Sequence, residues 1–127
     1  MTIALWCVLA AALVPYLFIG YAKATPAFMQ GDHNKNPREY EEALSGARKR
    51  AYWAQLNGFE AFPFFAAGVI VAHLTGAPQG TADMLALTFI GCRLVYGVLY
   101  VANLDKLRSL AWFGGFGASV ALFLIGA

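Results

Sequence analysis

The 127 residues are 60% hydrophobic and only 13% charged, too few charges to clothe a soluble domain of this size, so the composition is that of a membrane protein. The net charge of +2 comes from basic residues gathered at the ends of apolar runs. Topology and anionic lipid are sufficient reasons for them, and no nucleic-acid partner is expected.

Four stretches of roughly 20 residues are apolar and long enough to cross a hydrocarbon core about 30 Å thick. The first runs from Ile3 to Ala22. No basic residue precedes it, it is longer than the apolar part of a usual signal peptide, and it contains Pro15, so it reads as a retained membrane helix. A long connection follows, from Ala24 to about Glu39. Within it, Asn36-Pro37-Arg38-Glu39 reads as a helix start, with Asn36 as N-cap, Pro37 at the first helical position and Glu39 completing a capping box. The second span, Ala51 to Leu74, is thus expected to begin outside the hydrocarbon and run into it, with Gly46 as a possible break. Glu39, Glu41 and Glu42 are explained as first-turn carboxylates and carry no assigned role.

The second connection, with Gly76, Pro78 and Gly80, is a short turn, and Thr81 is a fair N-cap for the third span, Ala82 to Ala102. His73 stands alone beside that turn, and no metal site is expected. The fourth span, Leu107 to Ile125, carries Gly114 with Ala118 and Gly115 with Ser119, small residues four apart that let helices approach closely in lipid, within a chain or between chains. Cys7 and Cys92 should lie at different depths, which argues against a disulfide and for two small buried hydrophobes. The expected architecture is one all-α domain, residues 1–127, forming a bundle of four transmembrane helices.

Of the nine basic residues, all but Arg93 fall in or beside the first and third connections. Those two connections are therefore expected to be cytoplasmic, with both termini on the opposite side.

The second span is interrupted by Gln55, Asn57 and Glu60 within Trp53-Ala54-Gln55-Leu56-Asn57-Gly58-Phe59-Glu60. Steps of three and four from Arg50 give Trp53, Asn57, Glu60 and Phe64 on one helix face, and from Arg93 give Tyr96 and Tyr100. A carboxylate in hydrocarbon costs several kcal/mol unless paired. At about 1.5 Å per residue, Glu60 and Arg93 lie at similar depth, and an ion pair between the second and third spans is expected. Asn57, Tyr96 and Tyr100 fall nearer the cytoplasmic face, with Arg50 and Arg108 at the rim. Each polar residue has a plain structural use: register pairing, interhelical hydrogen bonding, interface aromatics or topology. Their convergence at matched depth favours a slot for a small zwitterionic or anionic ligand.

The pattern Arg50-Ala51, Ala54-Gln55, Asn57, Glu60 and Pro63 with Phe64-Phe65, continued by Arg93, Tyr96 and Tyr100 and by Arg108-Ser109 with Trp112, resembles the MAPEG family, the membrane-associated proteins in eicosanoid and glutathione metabolism. The resemblance covers nearly the whole chain and is nearest to the bacterial branch. It implies a homotrimer of four-helix bundles in the bacterial inner membrane, in contact with lipid and lipophilic small molecules, with glutathione held between subunits. Carried onto this chain, Arg50, Gln55, Asn57, Glu60, Arg93, Tyr96 and Tyr100 would bind glutathione, and Arg108 would lower the pKa of its thiol and hold the thiolate, the reactive form. Trp53 stands where eukaryotic members often carry an arginine, and Arg108 falls one residue later than the catalytic arginine of one branch.

Two functions follow from different classes. One is a glutathione-dependent transferase or peroxidase acting on lipophilic electrophiles. The other is a non-catalytic membrane module whose slot takes lipid or a partner protein, toward which Trp53 leans. An ion or solute pathway along Glu60 and Arg93 is weaker, because a fully paired slot leaves no continuous route across.

Overall fold

The computed structural model describes residues 1–127 and is all-helical. Four long helices, α1 (Ile3–Lys23), α4 (Gly46–Leu74), α5 (Gln79–Val101) and α6 (Asp105–Leu124), are each long and apolar enough to span a membrane. The first connection is itself folded into two short helices, α2 (Pro26–Gln30) and α3 (Pro37–Glu42), with a 3₁₀ turn at Asp32–Lys35 between them. It marks one end of the bundle, called here the basic end.

Glycines set the closest helix crossings. Gly58 of α4 lies on the ring of Pro15 in α1, and Gly68 faces the Ser119 carbonyl and Leu122 of α6. Gly97 of α5 receives the ring of Phe18 from α1. On α6, Gly115, Ala118 and Ser119 are buried against the rest of the bundle while Gly117 faces open space, so most of the small-residue stripe is spent on packing within the chain. Between these crossings sits a core in which the rings of Phe65 and Phe89 stack with centroids 3.8 Å apart, flanked by Val69, Ala86 and Leu122. Cys7 is buried in that core, Cys92 is half-buried, and both are free thiols.

A helix does begin at Pro37 with Asn36 at the N-cap position, but it stops at Glu42, and the chain breaks where Gly46 marked it: α4 starts afresh there, with the Gly46 φ of +61° turning the chain. Asn36 makes no capping bond through its side chain. Helix α5 opens at Gln79 rather than after Thr81, because the Pro78 carbonyl already accepts from Ala82 and Gln79 donates to Asp83 at 2.6 Å.

That same Asp83 carboxylate accepts from the Ala4 backbone N–H at 2.8 Å, so a side chain of α5 caps α1 beside its own cap, Thr2, which accepts from Leu5. Asp83→Ala is expected to lower stability by about 1 kcal/mol. Thermal unfolding in detergent, with Asp83→Asn retaining most of the loss-free behaviour as a substitute acceptor, checks this.

At the basic end, three consecutive residues of α4 each reach a different helix terminus. Arg48 donates to the Tyr21 carbonyl of α1, Lys49 to the Glu42 carbonyl of α3, and Arg50 to the Val101 carbonyl of α5 at 3.1 Å. The last carbonyls of a helix have no intrahelical donor, and cations are favourable there. Glu41, from the acidic cluster given no role, is 3% exposed and is paired with Lys23 at 2.9 Å and Arg38 at 3.3 Å. It ties α3 to the end of α1.

Candidate functional site

Helix α4 turns Trp53, Asn57, Glu60 and Phe64 to one face, as a 3.6-residue period requires. Helix α5 presents Arg93, Tyr96 and Tyr100 to the same region, and α6 enters it with Arg108.

The expected direct ion pair between Glu60 and Arg93 is not formed. Asn57 stands between them: Arg93 Nη2 donates to Asn57 Oδ1 at 2.8 Å, and Asn57 Nδ2 donates to Glu60 Oε2 at 3.3 Å. The reason is burial. Arg93 is turned into the bundle and is 6% exposed, whereas Glu60 lies on the outer surface of α4, and the amide one turn before it fills the gap. The guanidinium also lies over the Tyr96 ring, 4.2 Å from its centroid.

Toward the basic end the site is aromatic. Tyr96 and Tyr100 meet edge to face at 5.7 Å, Trp53 stands 6.3 Å from Tyr100, and the Arg108 guanidinium covers the Tyr100 ring at 4.2 Å. Trp53, Leu56, Asn57, Glu60, Tyr96 and Tyr100 line an open slot of about 380 Å³. The structure therefore brings together Asn57, Glu60, Arg93, Tyr96 and Tyr100, with Arg108 at the rim.

Two residues of the expected set stand apart. Arg50 is engaged with the end of α5. Gln55 is 5% exposed on the inward face of α4, and its Oε1 is buried without a hydrogen-bond partner. It lines neither cavity that Asn57 and Glu60 share.

The second of those cavities, about 270 Å³, lies deeper in the bundle on the other side of Asn57 and Glu60. Phe64, Phe89, Trp112 and Phe116 wall it. Neither Trp112 nor Phe116 was assigned to a site from sequence. The signal was present: the walk applied to the other two helices, started at Arg108 and taken in steps of four, gives Trp112 and Phe116 on one face of α6.

The polar groups can grip a small ligand that carries both charges. Guanidinium groups match carboxylates, and Glu60 matches an ammonium group. Searches of the curated proteins and of the solved structures return no match. A family model does match: that of the MAPEG family, over residues 3–127. With that match across essentially the whole chain and with four membrane-spanning helices in one bundle, the protein belongs to the MAPEG family and is a multi-pass membrane protein of the glutathione- and eicosanoid-metabolism type.

Proposed function

We propose that the protein is a glutathione-dependent transferase or peroxidase acting on lipophilic electrophiles that reach it from the bilayer. The observation that carries the reading is the row of contacts from Glu60 through Asn57 to Arg93, continued by Tyr96, Tyr100 and Arg108, with Asn57, Glu60, Tyr96 and Tyr100 lining the slot and the two arginines flanking it. In this reading Asn57, Glu60 and Arg93 orient the tripeptide, the tyrosines wall it, and Arg108 holds the sulfur as thiolate. The thiolate forms the bond to the electrophilic carbon, and the displaced electron pair leaves with the departing group. Arg50 and Gln55 would contribute from their own places, at the end of α5 and on the inner face of α4.

Glu60 supports assembly of the site from more than one chain. A carboxylate on the outer surface at mid-membrane, held only by an amide, is costly against lipid and is relieved when a second copy covers it. A homotrimer in the bacterial inner membrane, with its basic end in the cytoplasm and both termini periplasmic, fits the basic residues gathered there.

Arg108→Ala is expected to lower kcat/KM for conjugation roughly 100-fold, the scale of removing one charge-stabilising donor, with oligomeric size unchanged. Glutathione titration by calorimetry and a conjugation assay in detergent test this together; absence of binding at millimolar glutathione defeats the proposal. The second reading, a non-catalytic module for lipid or a partner protein, is favoured by one contact. Trp53 and Arg108 both rest on Tyr100, which leaves the guanidinium covering a ring. Under that reading R108A leaves all thiol chemistry unchanged.

A further inference from the structure

Helix α1 carries a polar group that its own chain does not use. Tyr16 is 58% exposed and its ring meets the edge of Phe59 with centroids 5.6 Å apart, but its hydroxyl makes no hydrogen bond. It lies seven residues inside Lys23, roughly 10 Å from that end of the helix, too deep for the aromatic belt at a membrane surface. Helical side chains lean toward the N-terminus, which turns the phenol further from the basic end. A hydroxyl without a partner in hydrocarbon is costly. So is the half-satisfied carboxylate of Glu60, whose Oε2 accepts from Asn57 while Oε1 accepts from nothing.

The two groups share one depth. Pro15 packs on Gly58 and Tyr16 on Phe59, so this part of α1 is level with Glu60. They also stand on opposite flanks of one exposed strip of α4. At about 100° per residue, Trp53, Asn57 and Phe64 turn to one side of Glu60, toward α5 and α6, while Ala67, Pro63 and Phe59 turn to the other, toward α1.

We propose that Tyr16 of the partner subunit completes the site by donating its hydroxyl to Glu60 Oε1, resting on the reading above in which a second copy covers that carboxylate. Copies related by rotation about the membrane normal keep every residue at its depth, and in a closed ring each copy meets the next through two different faces. With the α4 strip toward the axis, the α1 flank of one copy lies against the α5 and α6 flank of the next. Pro63 and Ala67, which carry little bulk, let the helices approach there. The outer groove between α5 and α6 offers Glu60 no such donor: Thr88 spends its hydroxyl on the Met84 carbonyl at 2.8 Å, and Val95, Leu99 and Leu110 are apolar. A phenol donating to a carboxylate makes a strong, charge-assisted bond. Asn57 and the partner's Tyr16 then hold the two oxygens of Glu60 from two chains and aim the carboxylate at the ligand's ammonium group. Tyr16 is thus a positioning residue, acting through Glu60.

The contact is tested by p-benzoylphenylalanine placed at position 16 and irradiated in native membranes. A dimer-size product is expected, with residue 16 joined to a peptide from residues 53–64 of the other chain. Products confined to single chains or to lipid, or a dimer-size product joined to α1 or α6, overturn the contact. Tyr16→Phe keeps the ring on Phe59, so oligomeric size should not change, while the Kd for glutathione rises roughly two- to tenfold, the loss of one hydrogen bond. For glutaryl-cysteinylglycine, the analogue without the amino group, the two proteins should have the same Kd, because Glu60 has no ammonium to meet. An equal loss for both ligands, or none for glutathione, overturns the positioning role. A protein that gives the expected cross-link yet binds no glutathione supports the contact and overturns only the glutathione reading.

Discussion

Asn57→Leu is expected to be among the most damaging single changes in the protein, costing roughly 3 kcal/mol in detergent unfolding, because it strips a buried guanidinium of its one hydrogen bond. The charge then remains in an apolar interior with only the Tyr96 face beside it. The informative comparison is the double variant Asn57→Leu/Arg93→Met. Replacing a buried polar pair by apolar side chains of similar volume is close to neutral, whereas breaking it from one side is costly. The double variant should therefore be more stable than Asn57→Leu alone by about 2 kcal/mol, on the scale of an unpaired buried charge, while losing the ligand-facing groups. A double variant as unstable as the sum of the two singles would show that Asn57 and Arg93 act separately.

Gly97→Ala is expected to cost about 1 to 3 kcal/mol, the usual penalty for overpacking a filled interior. A methyl group there would lie 1.9 Å from the nearest ring carbon of Phe18, so either the ring leaves or α1 and α5 separate. Phe18→Ala removes the obstacle. In that background the added methyl should cost nothing or stabilise slightly, since alanine is the better helix former. Thermal unfolding of the four proteins reads the coupling directly, and equal penalties in both backgrounds would exclude the contact as its source.

The four spans were legible because hydrocarbon thickness fixes their length and a run of apolar residues has few other uses. The face shared by Asn57, Glu60, Arg93 and Tyr96 was legible for a similar reason: helical periodicity and rise are nearly invariant. Which of those groups touch was not. Depth matching placed Glu60 level with Arg93, but rotation of each helix about its own axis, set by Gly58 on Pro15 and Gly97 under Phe18, decided that one faces in and the other out. The interposed amide follows from that rotation. For Glu41, the contact with Arg38 follows the local spacing of three, but the burial and the pairing with Lys23 were unreadable because Lys23 lies across a folded connection. Phe116 was not singled out, and Trp112 entered the family pattern without a site role, because aromatic residues in a membrane helix are ordinary until a cavity is seen beside them.

The basic triplet at the start of α4 also orders events during synthesis. When Arg48, Lys49 and Arg50 leave the ribosome, the carbonyls of α1 and α3 that Arg48 and Lys49 hold already exist, lying 27 and 7 residues behind them. The carbonyl that Arg50 holds belongs to a residue made 51 positions later. At about 5 to 20 residues per second, that is a wait of roughly 3 to 10 s. The first half of the chain can be fastened as soon as it emerges, and Arg50 closes as the late latch, once the third span has crossed and returned its end to the same side.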